Sequence, residues 1–179
     1  MDSIKGIVTG AVITLIIGGT AYNINQEDVI QNFADDTGLT QEQAELYINE
    51  ISEENLETFS VIGSDFVNKS QGLLIMANEI DCINYEYDWE SVTLSCLEGK
   101  SQFNKLAKNA SSLGYAFKKL DSDSASKEDI AETIRLIDQL NTDYELEISY
   151  ILWDRSTINE AKKANSYNKS ILKAALASD

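Results

Sequence analysis

The chain has 179 residues, and 30 acidic against 14 basic side chains leave it a net charge of −16. Such a surface repels nucleic-acid phosphates, whose binding rests on Lys and Arg, so nucleic-acid recognition is excluded. Histidine and proline are both absent; the first removes the usual general base of triad hydrolases and the commonest zinc ligand, the second suits uninterrupted helices.

Residues 4–22, IKGIVTGAVITLIIGGTAY, carry one charge, Lys5. As a helix rising about 1.5 Å per residue they would span roughly 28 Å, close to the ~30 Å core of a bilayer. The stretch predicts a transmembrane helix, with residues 1–25 as a membrane anchor. A cleaved signal peptide is the rival reading, with residues 7–17 as its apolar part and Gly19-Thr20-Ala21 as a small-residue cleavage site before Tyr22. Asp2, in a short leading segment with a single lysine, argues for the anchor. Lys5 and the amino terminus lie on one flank, whereas Glu27, Asp28, Asp35 and Asp36 follow the other and the next basic residue is Lys69. Retention of positive charge inside predicts a single-pass protein whose body, residues 26–179, is extracytoplasmic, or secreted if the signal is cleaved. Gly6, Gly10, Thr14 and Gly18 recur every four residues, which on a helix makes a small-residue face for packing against a second membrane helix.

The body reads as one helix after another. Residues 23–36 form a short one with Val29, Ile30, Phe33 and Ala34 on one side, ended by Gly38, which accepts the left-handed conformation of a helix terminus. Thr40 and Gln43 form a capping box for the next helix, which carries Ala44, Tyr47, Ile48 and Ile51. Ser52 followed by Glu53 and Glu54 is a further start signal. It opens a long helix over 53–81 with Phe59, Ile62, Phe66, Leu73, Ala77 and Ile80 near three-four spacing, weakened at Gly63 and Gly72.

Residues 100–120 hold the strongest periodicity: Phe103, Leu106, Ala110, Leu113, Phe117 and Leu120 alternate three and four. A turn over 121–125 follows, and Ser126 with Asp129 caps a helix striped by Ile130, Ile134, Ile137, Leu140, Tyr144, Ile148 and Ile151. The stripe breaks near Asp154, and Thr157 with Glu160 can cap a last helix bearing Ile158, Ala161, Ile171 and Leu172. Lys162, Lys163, Lys169 and Lys173 make that tail basic. A solvated basic face is its plainer reading, docking onto the acidic body the other. Asp121, Asp123 and Glu132 sit at the first, third and twelfth places of a calcium loop, but Ala125 and Ser126 occupy its fifth and its glycine place, so no metal is assigned.

Residues 82–96, CINYEYDWESVTLSC, differ from the rest. Ile83, Tyr85, Tyr87 and Trp89 alternate with polar residues, and Val92 and Leu94 continue the period of two, which predicts a small hairpin. Cys82 and Cys96 predict one disulfide in an exported domain, closing a loop of about fifteen residues for roughly 3 kcal/mol. Tyr85, Glu86, Tyr87, Asp88, Trp89 and Glu90 join aromatic faces to carboxylates, a combination suited to a cation or a Lys- or Arg-bearing partner. The plainer alternative is that the aromatics close one end of the bundle while the acids face water.

The fold class is all-α: a transmembrane helix, short helices after it, then three to four long helices in an antiparallel bundle with a disulfide-tied loop at 82–96. The expected function is non-catalytic protein contact, as an assembly, envelope or adhesion component, with another protein or a second copy as partner. No catalytic residue or cofactor is assigned, and a small molecule stays compatible. The alternatives are a small-ligand sensor ectodomain, and a pore-forming or membrane-remodelling protein that inserts its Gly-rich amino terminus.

Overall fold

Strand chemistry wins over helix chemistry at the start of the chain. Five of the six residues of β1 (Val12–Ile17, VITLII) are β-branched, a type that fits a pleated surface better than the crowded wall of a helix. The computed structural model describes residues 12–54, 58–79, 90–146 and 155–178, with the backbone alone over 51–54, 90–96 and 145–146. In it β1 pairs antiparallel with β2 (Thr20–Asn25), from Val12 opposite Asn25 to Ile17 opposite Thr20. Gly18 and Gly19 form the two-residue turn at φ 59° and 73°, the double left-handed geometry that matches strand twist. Leu15, Ile17, Tyr22 and Ile24 point into the core, while Val12, Thr14, Ile16, Asn23 and Asn25 point out.

This hairpin overturns the transmembrane reading. The run is apolar enough for a bilayer, but its in-and-out period is two, and a glycine pair reverses it halfway. No helix among the described residues is long and apolar enough to cross a membrane. The single-pass topology, and the extracytoplasmic placement derived from it, therefore fall. So does the Gly-rich inserting helix over these residues. A signal cut before Tyr22 would sever β2 within a ladder whose inner side chains belong to the core.

Six helices follow among the described residues: α1 (Gln26–Thr37), α2 (Gln41–Glu54), α3 (Phe59–Glu79), α4 (Glu90–Leu120), α5 (Lys127–Leu146) and α6 (Arg155–Ala177). Among the described residues all-α therefore holds after the hairpin. Asn25 caps α1 by accepting the Glu27 N–H at 3.1 Å, and Gly38 ends it at φ 71° with its N–H on the Ala34 carbonyl. The Thr40–Gln43 capping box closes in both directions, at 3.1 and 3.3 Å. Ser126 and Asp129 do the same for α5, at 3.0 and 3.4 Å. Ser52 starts nothing, because α2 runs unbroken to Glu54. Asn23 belongs to β2, and α6 begins at Arg155, ahead of the Thr157 start signal.

Neighbours in sequence are mostly neighbours in space. α3 packs on α4, α4 on α5 and α5 on α6; α6 then lies against α1, which carries α2, and β2 lies across α6 and α1. The α4 stripe read from sequence is wholly buried, and Phe117 within it stacks on Phe59 and Phe66 with centroids 5.8 and 5.9 Å apart. Gly63 and Gly114 bring the α3 and α4 backbones together: a Cβ on Gly114 would lie 2.6 Å from the Gly63 carbonyl oxygen. At the other end Phe33 stacks on Tyr47 at 5.2 Å and meets Tyr167 edge-on at 6.4 Å, joining α1, α2 and α6. The hairpin turn reaches the α4–α5 loop, where the Gly18 N–H donates to the Leu120 carbonyl at 3.4 Å.

The region 82–96 is also corrected where it can be seen. From Glu90 onward it is helix, continuous with α4, so Val92 and Leu94 are not strand residues. Extending a strongly periodic helix costs one residue's ordering for each added hydrogen bond, and ESVTLSC contains nothing to stop it. No disulfide is seen: Cys82 lies outside the described residues, and Cys96 sits on the backbone of α4.

Candidate functional site

Sequence reasoning placed its recognition site at residues 85–90. Tyr85, Glu86, Tyr87, Asp88 and Trp89 lie outside the described residues, and Glu90 is the first residue of α4. Gly6 and Gly10 likewise lie outside. Thr14 stands on the outer face of β1, its hydroxyl donating to the Asn23 side chain at 3.2 Å, and Gly18 is in the turn. Neither Thr14 nor Gly18 therefore lies on a helix.

A different feature stands out at the far end of the α3–α4 pair. α4 has 31 residues and α3 has 21, so at about 1.5 Å per residue α4 is some 15 Å longer. Leu74, Ile75 and Met76 follow one another on α3 and are 41, 58 and 43% exposed, and Leu97 on α4 is 50% exposed. The antiparallel register set by Gly63 against Gly114 puts Leu97 level with the end of α3. Leu73 and Ala77 are buried on the same stretch. One partner helix covers one stripe, so a run of consecutive apolar residues must leave some of them in water. The run LLIM at 73–76 was the sequence signal for this patch; a reading confined to the buried stripe passes over it.

The polar groups inside the bundle are engaged with one another. Asp143 on α5 is 1% exposed, and it accepts from Lys105 at 2.7 Å, from Gln139 at 3.2 Å and from Asn109. A buried carboxylate with three donors fixes the α4–α5 register, since breaking one arm leaves charge without solvation. The Asn109 amide is thereby committed to Asp143. Asn141 and Asn165 tie α5 to α6 at 2.9 Å. Lys169 bridges Asp36 of α1 and Asp138 of α5 at 3.3 and 2.5 Å, and Lys173 reaches Asp36 at 2.9 Å. Burial pulls the Lys169 ammonium down, but the Asp138 hydrogen bond and the charges of Asp36 and Asp138 outweigh it and hold it above the usual lysine range. These lysines of the basic tail are docked on the acidic body rather than spread over a solvated face.

A shallow groove of about 440 Å³ lies between α4 and α5, lined among others by Tyr115, Lys119, Asp129, Glu132 and Arg135. Its charges are spent on each other. Lys119 pairs with Asp129 at 2.6 Å, and Arg135 grips Glu132 through two bonds of 2.7 Å. Lys119 holds the Asp129 carboxyl below its ordinary range, and Arg135 does the same for Glu132. The calcium-loop residues are engaged in the same way, Glu132 here and Asp121 as acceptor of the Ser60 N–H at the start of α3. Among the described residues no group of three or more Asp, Glu or Cys is placed to hold a metal ion. Neither a protein-family model, nor a curated protein, nor a solved structure matches the chain.

Proposed function

We propose that this protein acts by protein–protein contact, without catalysis, and that the far end of the α3–α4 pair is the surface it uses. The observation that carries the reading is the exposure of Leu74, Ile75 and Met76 together, with Leu97 close by. Consecutive exposed apolar side chains on a helix cost solubility and supply contact area, and a flexible Met among them adapts to the shape of a partner. Glu79 follows these residues on α3 and Glu98 follows Leu97 on α4, in a chain of net charge −16. The complementary partner is therefore an amphipathic helix with an apolar face and a rim of Lys or Arg.

A synthetic Leu-faced, Lys-rimmed helix tests this, titrated into the full chain beside a lysine-rich peptide without an apolar face. The amphipathic peptide binds and its control does not. The double variant Ile75→Lys, Met76→Lys weakens binding by about tenfold or more, the scale of lost anchor residues. Equal binding by variant and parent, with both folded by circular dichroism, would remove the surface from consideration.

A further inference from the structure

The geometry points to a second interaction surface: the outer edge of β1, which we propose pairs with β1 of a second copy of this chain. A two-residue turn makes Ile17 and Thr20 a hydrogen-bonded pair, so the backbone groups of Ile13, Leu15 and Ile17 face β2. Those of Val12, Thr14 and Ile16 then face the opposite edge. β2 is the strand packed on α1 and α6, and no described backbone group bonds the outer edge of β1. Among the described residues the sheet therefore ends in a row of open donors and acceptors.

Natural edge strands are blunted by Lys, Pro, bulges or a covering element. Among the described residues β1 has none of these: it is an unbroken VITLII with Val12 47% and Ile16 51% exposed beside the edge. Charge identifies the occupant. The chain carries −16, which opposes self-association almost everywhere, yet residues 6–26 contain no ionisable acid or base apart from Tyr22. Two copies can pair this edge without bringing carboxylates of the strands themselves against each other. Antiparallel pairing of β1 with its own copy is two-fold symmetric, and it turns two hairpins into one four-stranded sheet.

The test uses the full chain in solution. Light scattering with size exclusion gives twice the 19.9 kDa chain mass, and hydrogen exchange finds the outward amides of Val12, Thr14 and Ile16 protected more strongly as concentration rises. Thr14→Pro removes an outward N–H while leaving the β1–β2 ladder its bonds, and Ile16→Lys puts like charges across the two-fold. Each weakens the dimer by tenfold or more with helical content unchanged. If Thr14→Pro fails to fold, Ile16→Lys decides. A parent chain that stays monomeric into the submillimolar range overturns the proposal, as does a dimer that both variants keep. A dimer that is lost with Ile75→Lys and kept with Ile16→Lys also overturns it, and assigns self-contact to the α3–α4 end.

Discussion

Gly18 and Gly19 in the hairpin, and Gly63 and Gly114 in the α3–α4 pair, use the same residue for opposite ends. The first two sit at positive φ and reverse the chain; the second two keep helical backbone and let two helices touch. Small residues at helical spacing suggested helix packing in residues 6–18, and Gly63 read as a weak point. The structure exchanges these roles. What separates the cases is the flanking sequence: a nearly continuous run of β-branched residues before Gly18, and an apolar stripe at three-four spacing around Gly63 and Gly114. Glycine permits both turns and close contacts, and its neighbours decide which one forms.

The contrast can be broken most forcibly at Gly114. Gly114→Leu forces α3 from α4 and parts the Phe59, Phe66 and Phe117 stack, for about 3 kcal/mol or more of lost stability. Urea unfolding measures it, and a loss below about 1 kcal/mol would mean that the backbones need not meet. Gly18→Val comes next. Its Cβ meets the Ala125 carbonyl at φ 59°, so left-handed strain and overpacking together cost about 2–4 kcal/mol by the same measurement.

The helical side can also be titrated. Burial, and then the charge of Asp65 on α3, push the Tyr144 hydroxyl up to about 12. The folded value is raised, so this contribution is whole below the unfolded pKa near 10 and is lost as pH climbs from there to about 12, roughly 2–3 kcal/mol in all. Tyr144→Phe should remove that alkaline loss; stability falling equally in parent and variant would assign it elsewhere. The smallest effect belongs to Gly19, where added atoms meet nothing within 4 Å. Gly19→Asn, a residue that accepts the left-handed region, should change stability by less than about 0.5 kcal/mol, which isolates the steric part of the Gly18 effect.

Legibility in the sequence followed how local the cause was. The Thr40–Gln43 box, the Ser126–Asp129 box and the Gly38 terminus are contacts within a few residues, and each appears as read. The α4 stripe from Phe103 to Leu120 is buried as its period required. Leu74, Ile75 and Met76 were visible only as an apolar run, because exposure depends on how many helices pack around α3. The acceptors of Lys169 and Lys173 could not be read at all: Asp36 lies more than a hundred residues away.

Composition and period by themselves determined a helical body, its caps and its buried stripes, since hydrogen bonds and apolar spacing along one helix are settled within a few turns. The tertiary structure decided the fate of residues 12–25. An uncharged run can cross a bilayer as a helix or fold back as strands, and the hydrophobic content is the same in both. The choice fell to the strands because Leu15, Ile17, Tyr22 and Ile24 find a core to enter, and because the turn between them fits against Leu120 and Ala125. Those contacts span a hundred residues of chain, a distance over which no local pattern carries information.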